Sequence, residues 1–150
     1  MKIEQISKNE VIELSYLLVK YWKERGMEYD LKWTEQYLIE GHKNELKDDI
    51  TFSVKNDGIL IGIISVVVFE GDLAELRDFV IKEGMRGQGY GTKTLKLILD
   101  WCKDNQIRKV MSLIFPKHEQ FLAKLGFARE GYLKDHFING EDLLIMSKKL

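Results

Sequence analysis

Arg86-Gly87-Gln88-Gly89-Tyr90-Gly91 joins a β-branched run that ends near Lys82 to an amphipathic helix, and it is the most informative stretch of the chain. Its alternating glycines remove the side chains that would hold a ligand away from the backbone. Their N–H groups can then converge on an anion as a nest. The helix that follows adds its positive dipole end and its unpaired N–H donors. Arg86 brings a fixed positive charge to the rim. A phosphate or pyrophosphate suits such a loop. The dinucleotide pattern G-x-G-x-x-G is not met, because the glycines alternate, and Gly91-Thr92-Lys93 reverses the order of a P-loop. A loop that merely caps a helix has the same composition, so the glycines alone leave both readings open.

On the N-terminal side of this loop the chain reads as strands. Ile50 to Lys55 leads into Asn56-Asp57-Gly58, a hairpin turn signal, and Ile59 to Phe69 follows as a near-continuous apolar run that suggests burial on both faces. Gly71-Asp72 makes another tight turn into Leu73 to Lys82, and the three strands predict an antiparallel meander. Residues 2–6 read as a short first strand. Val11, Leu14, Leu17, Leu18, Tyr21 and Trp22 then share one helical face, with Asn9 as N-cap and Gly26 as stop. Leu31 to Glu45 is a second helical region with Trp33, Tyr37 and Leu38 on its apolar side. After the loop, Leu95, Ile98, Leu99 and Cys102 recur at helical spacing in a helix that should end near Asn105. A strand (Lys109–Phe115), a short helix after Pro116 and two strands joined at Asn139-Gly140 complete the chain. Mixed strands with helices on both faces predict an α/β (α+β) domain.

The chain has 150 residues, 23 Lys+Arg against 24 Asp+Glu, and a formal net charge of −1. That length predicts one domain, residues 1–150, able to bury roughly 68–70% of the surface of its unfolded chain. Balanced charge argues against a nucleic-acid partner, which usually selects a basic excess. One cysteine, Cys102, excludes an intramolecular disulfide framework, and its place on the helical stripe reads as packing. His42, His118 and His136 show no metal-ligand spacing, so no metal is expected. No leader-like apolar core opens the chain and no apolar run reaches the roughly 18 residues of a membrane span. A cytoplasmic protein without membrane contact is the expectation.

At the glycine-rich segment the chain resembles the GNAT superfamily of acetyl-CoA-dependent N-acetyltransferases. Arg86-Gly87-Gln88-Gly89-Tyr90-Gly91 fits the Arg/Gln-x-x-Gly-x-Gly/Ala signature that follows the family's fourth strand. Asp78-Phe79-Val80-Ile81 resembles the strand that pairs with the pantetheine arm, and Phe121 to Phe127 resembles the late helix-to-strand motif. The resemblance implies a mixed, mostly antiparallel sheet of about seven strands with the fourth and fifth splayed apart. It implies that the backbone of Gly87, Gln88, Gly89, Tyr90, Gly91 and Thr92, beside Arg86, holds the pyrophosphate of acetyl-CoA. It also implies that the main chain of Phe79, Val80 and Ile81 hydrogen-bonds the pantetheine amides as another strand would.

The implied reaction moves an acetyl group from acetyl-CoA to a primary amine by direct attack in a ternary complex. An amine of pKa near 10.4 must lose a proton, at a cost of about 4–5 kcal/mol at pH 7. Glu75 stands where the histone-acetyltransferase branch carries its base, and Asp78, three residues on, should alternate to the other face. A backbone N–H near Val80 would meet the oxyanion. The resemblance breaks at two positions: Leu122 replaces the tyrosine often aimed at the CoA sulfur, and Phe115 replaces an asparagine. Tyr132 is the candidate substitute acid, with His118 and His136 as alternatives, or the thiolate leaves unaided, its ordinary pKa being only about 8.5. The amine, from a small molecule, a peptide N-terminus or a lysine, should meet Glu24, Glu28, Tyr29 and Trp33 on one side and His136 and Glu141 on the other. The apolar Leu143-Leu144-Ile145-Met146 could pair at a sheet edge in a homodimer. A non-catalytic acyl-CoA-binding or sensing module is the alternative, motivated by Leu122 and Phe115.

Overall fold

In the computed structural model, which describes residues 1–40, 47–69 and 72–150, the chain forms β1 (Lys2–Gln5), α1 (Val11–Lys23) and α2 (Leu31–Glu40). The meander β2 (Lys47–Asn56), β3 (Ile59–Phe69) and β4 (Leu73–Ile81) follows, then α3 (Tyr90–Asp104), β5 (Lys109–Ile114) and α4 (Glu119–Ala123). The last hairpin is β6 (Ala128–Phe137) and β7 (Glu141–Lys149). Seven strands form one sheet in the order β1-β2-β3-β4-β5-β7-β6. Every neighbouring pair is antiparallel except β4 with β5, which is parallel across the α3 crossover. The expected α/β class and mixed sheet are both present.

Both faces of β3 are covered, which accounts for its lack of polar alternation. Ile61, Ile64 and Val66 join Ala74, Leu76 and Ile81 of β4 beneath Leu95, Ile98, Leu99 and Cys102 of α3. On the opposite face, Leu60, Ile63 and Val80 pack under Val11, Leu14, Leu18 and Trp22 of α1 and Leu38 of α2. Each fully buried Leu or Ile contributes about 1.5–3 kcal/mol, so these two layers anchor the helices to the sheet. Burial pushes the Cys102 thiol up to about 11, in keeping with a packing role. Among the described residues, no helix is long and apolar enough to cross a membrane.

Several sequence expectations shift. The first helical segment is entered through Ser7 rather than Asn9: the Ser7 N–H and hydroxyl both donate to Glu10 Oε2, at 2.9 and 2.7 Å, ahead of a 3-10 turn over Lys8–Glu10. The extension of the second helix to Glu45, His42 in it, and Gly71 of the second turn lie outside the described residues. The strand holding Leu143-Leu144-Ile145-Met146 is not at an edge. β7 lies between β5 and β6, so its main-chain groups are already paired on both sides and cannot extend the sheet into a partner.

The meander also departs from simple alternation. Ile63 pairs with Val80 and Ser65 with Arg77, so two residues of β4, Asp78 and Phe79, oppose Ile64 alone. This is a β-bulge, with Asp78 in the left-handed region at φ +46°. Because of it Asp78 does not take the face opposite Glu75. Arg77, Asp78 and Val80 all lie toward α1 and α2, while Leu76, Phe79 and Ile81 lie toward α3. Close packing holds the strand here, since a Cβ on Gly62 would overlap the Val80 carbonyl oxygen and sit 2.9 Å from Ile81 Cδ1. Gly62→Ala is expected to cost about 1–3 kcal/mol of stability, as overpacking typically does, read as a lower urea midpoint.

Candidate active site

β4 and β5 pair only at Leu73 with Lys109, Ala74 with Val110 and Glu75 with Met111. Beyond that point β4 stays with β3 as far as Ile81, and β5 stays with β7 as far as Ile114. The two strands therefore diverge. The Ser112 hydroxyl, donating to the Leu76 carbonyl at 3.1 Å, bridges them just past the last paired residues. The gap is a cleft of about 330 Å³, walled by residues 76–81 of β4 and 112–115 around the end of β5. Tyr21, Arg25, Arg86, Leu95 of α3, His118, Phe121 and Leu122 complete it.

The open edge of β4 can accept a further strand-like partner. The Lys82 N–H donates to the Ile61 carbonyl at 2.8 Å, so Lys82 faces β3. Alternation then turns the main-chain groups of Val80 toward β3 and those of Phe79 and Ile81 toward the cleft. The Ile81 carbonyl accepts a 2.9 Å hydrogen bond from Arg86 Nε, in agreement with that direction. An oxyanion donor on this strand would thus be the N–H of Phe79 or Ile81 rather than one from Val80.

At the end of β4 the glycine-rich loop turns into α3. Gly87 and Gly89 lie at φ +76° and +80°, where only glycine is unstrained, and Gly89 caps the helix. The Lys93 N–H bonds the Gly89 carbonyl at 3.1 Å. The N–H groups of Tyr90, Gly91 and Thr92, in the first turn, are left without intrahelical acceptors. A Cβ on Gly87 or Gly89 would meet nothing within 4 Å, so the approach to these donors is open. Gly91 differs, packing 3.4 Å from Phe121 and 3.7 Å from Phe79 when given a Cβ. The loop, the cationic Arg86 and the open strand edge fit an elongated molecule with a phosphate at one end.

The acidic groups divide in a way the sequence did not suggest. Glu75 is buried and its Oε2 accepts from Arg77 Nη2 at 2.5 Å, and it is not among the residues lining the cleft. Asp78, turned by the bulge, does line it. Tyr37 donates its hydroxyl to Asp78 Oδ2 at 2.6 Å, and Trp22 donates Nε1 to Oδ1 at 3.3 Å. Burial raises the Asp78 pKa above the ordinary carboxylate value of 3.8, and those two hydrogen bonds offset only part of the rise. Tyr37 and Trp22 are themselves held by rings: Trp33 stacks on Tyr37 at 5.6 Å and on Tyr29 at 4.6 Å, with Trp22 edge-on to Tyr37 at 5.7 Å.

Tyr132 falls away from this centre. It is 53% exposed on β6, bonded through its hydroxyl to Asp142, and separated from the cleft by β7 and β5. His136 and Glu141 are also exposed on that outer hairpin, and Glu24 and Glu28 are exposed beyond α1. His118 does line the cleft, with its pKa lowered by burial and by the charges of Lys117 and Arg25, so its ring is neutral at pH 7. Leu122 and Phe115 are cleft residues as well. Sequence reasoning missed Arg25, which no pattern marked, and read Trp22 and Tyr37, the partners of Asp78, as helical packing only.

Known proteins bear a clear likeness to this chain. Residues 12–127 match the sequence profile described as the Acetyltransferase (GNAT) family. Among solved structures, a ribosomal-protein-alanine N-acetyltransferase from Brucella melitensis superposes with a TM-score of 0.78 at 19% identity, with 100% of each chain covered. A variant of the spermidine N-acetyltransferase of Vibrio cholerae gives 0.82 at 19% identity, covering 99% of this chain and 92% of its own. Ard1 from Thermoplasma volcanium gives 0.76 at 15% identity, covering 99% and 97%. At these identities the superpositions establish the fold.

The raised Asp78 pKa has a thermodynamic consequence. Between about pH 3.8 and its higher folded value, the folded state holds a proton that the unfolded state has lost, so stability falls as pH rises through that window. Asp78→Asn removes this contribution. Wild type is expected to lose more stability than the variant when urea midpoints are compared on going from pH 4 to pH 7.

Proposed function

The chain belongs to the GNAT acetyltransferase family and is an acyltransferase, and from that premise we propose that residues 1–150 form one N-acetyltransferase domain acting on a primary amine. Acetyl-CoA would supply an acetyl group already activated as a thioester. The observation that carries this reading is the divergence of β4 and β5 at Glu75 and Met111, with the anion-ready loop at one end and Asp78 in the wall.

The residues divide the work as follows. Gly87, Gln88, Gly89, Tyr90, Gly91 and Thr92 offer backbone donors to the pyrophosphate, and Arg86 adds its charge without leaving the Ile81 carbonyl. Phe79 and Ile81 present strand edges to the pantetheine amides. Asp78 takes the proton that the incoming ammonium must lose. Its raised pKa suits it to that role, because a base works best with a pKa near the working pH. The Phe79 N–H, at the bulge, is the donor best placed for the developing oxyanion. Glu75 keeps Arg77 neutralised from behind the wall.

With acetyl-CoA at about 100 times its dissociation constant, the folded state should gain about 2.7 kcal/mol, read as a higher melting temperature. Asp78→Asn should keep that rise while kcat falls by roughly 10²–10⁴-fold, the usual worth of a positioned base. Glu75→Gln should chiefly destabilise the fold, by leaving Arg77 partly buried without its anion. If Glu75→Gln abolishes turnover and Asp78→Asn does not, the proton goes to Glu75 and the assignment to Asp78 is wrong.

A further inference from the structure

Arg25 is the cleft residue whose bonding is incomplete. It follows the last turn of α1, where its Nη1 donates to the Tyr21 carbonyl at 2.9 Å and its guanidinium lies 3.5 Å from the Tyr21 ring centroid. These two contacts fix the guanidinium plane. Its Nε is buried and, among the described residues, has no hydrogen-bond partner, and no carboxylate pairs with the group. The other cleft arginines are accounted for: Arg77 is held by Glu75 at 2.5 Å, and Arg86 donates to the Ile81 carbonyl. A buried guanidinium donor left unmet is unfavourable, and a planar oxyanion is the group that satisfies it, commonly through two parallel hydrogen bonds.

Asp78 lines the same cleft, and Tyr21 feels the charges of Arg25, of Asp78 and of Arg86, the last already engaged by the Ile81 carbonyl. The cleft thus carries one open cation and one anion around a single ring, between the apolar side chains of Leu113, Phe115 and Phe121. That arrangement matches a small zwitterion better than a polyamine, which would need several anions and no arginine. Resting on the acetyltransferase reading, we propose that the acceptor is a small amino acid whose carboxylate is bound by Arg25 and whose ammonium faces Asp78. The ammonium gives one proton to Asp78, and the freed nitrogen lone pair forms the C–N bond. The C–S bond breaks with its electron pair on sulfur, and the second nitrogen proton goes to that thiolate. The products are an N-acetyl amino acid and CoA, and the proton on Asp78 passes to solvent.

The test uses the twenty common amino acids, each paired with its carboxamide, in an assay of thiol release from acetyl-CoA. The pair has nearly the same shape, and only the acid carries the carboxylate charge. For the preferred side chain, kcat/KM should favour the acid by roughly ten- to hundredfold, the worth of a charge-assisted pair. Arg25→Gln should bring that ratio close to one, and Arg25→Lys, which keeps the charge and loses the fork, should leave it in between. A rise in melting temperature with CoA reports that each variant is folded. Carboxamides used as well as or better than acids would point to peptide N-termini and overturn the proposal. So would a wild-type ratio that survives Arg25→Gln while the KM for acetyl-CoA rises, which would assign Arg25 to the cofactor phosphates. A protein stabilised by CoA that acetylates no amino acid also overturns it and leaves the cofactor reading intact. Absence of stabilisation by CoA and acetyl-CoA alike overturns the acetyltransferase reading itself.

Discussion

Three residue pairs hold β4 to β5, and the pairing then stops. Everything about the site depends on where it stops. Two parallel strands in register for their full length would satisfy each other's main-chain groups and leave no edge to offer a ligand. The β4 bulge prevents this by lodging an extra residue against β3, which twists and bends the strand away from its other neighbour. Asp78, at φ +46°, absorbs the distortion. An aspartate tolerates that conformation better than most residues, and here its carboxylate is also tied down by Tyr37 and Trp22. The residue that opens the cleft is therefore also the one that furnishes its anion. Bending and charge placement cannot be varied independently at that position.

Local charge, rather than overall charge, organises the molecule. The formal net charge is −1, yet among the described residues the cleft wall is lined by three arginines and one acidic residue, Asp78. Each arginine meets a different fate. Arg77 is neutralised within the fold by Glu75, Arg86 is steered by the Ile81 carbonyl toward the loop, and Arg25 is braced by Tyr21 with donors to spare. A partly buried carboxylate and an arginine with unmet donors both raise the energy of the empty fold. A zwitterionic acceptor of the kind proposed would relieve both together, which would link binding strength to discrimination between charged and neutral acceptors.

The fold was largely legible in the sequence because its signals were local. Asn56-Asp57-Gly58, the apolar run from Ile59, and the stripe of Leu95, Ile98, Leu99 and Cys102 each specify an element without reference to the rest of the chain. The glycine-rich turn from β4 into α3 was legible for the same reason. The orientation of Asp78 in the cleft wall was not, because it depends on a register shift. Strict alternation puts Asp78 opposite Glu75, and one extra residue in β4 moves it to the same side. Tyr132 misled for a related reason: the strand order inserts β7 between β5 and β6, which no local pattern encodes. Ser7 displaced Asn9 as the cap because Glu10 stands at the right spacing to receive both of its donors.

In the proposed reaction, Leu122 and Phe115 bear on how the thiolate departs. Both line the cleft, so the positions that a tyrosine and an asparagine would occupy are apolar in fact as well as in sequence. A thiol has an ordinary pKa of about 8.5, far below that of an amine. Once the C–N bond has formed, sulfur is the better leaving group and carries its charge without a strong acid beside it. The proton it finally takes is available on the nitrogen newly bonded to the carbon that sulfur has just left. His118, kept neutral by burial and by Lys117 and Arg25, can offer a hydrogen bond to sulfur but holds no extra proton at pH 7. In the proposed reaction the demanding step is deprotonation of the ammonium, and Asp78, the group proposed to accept that proton, is held by Tyr37 and Trp22, whereas Leu122 and Phe115 offer no polar group.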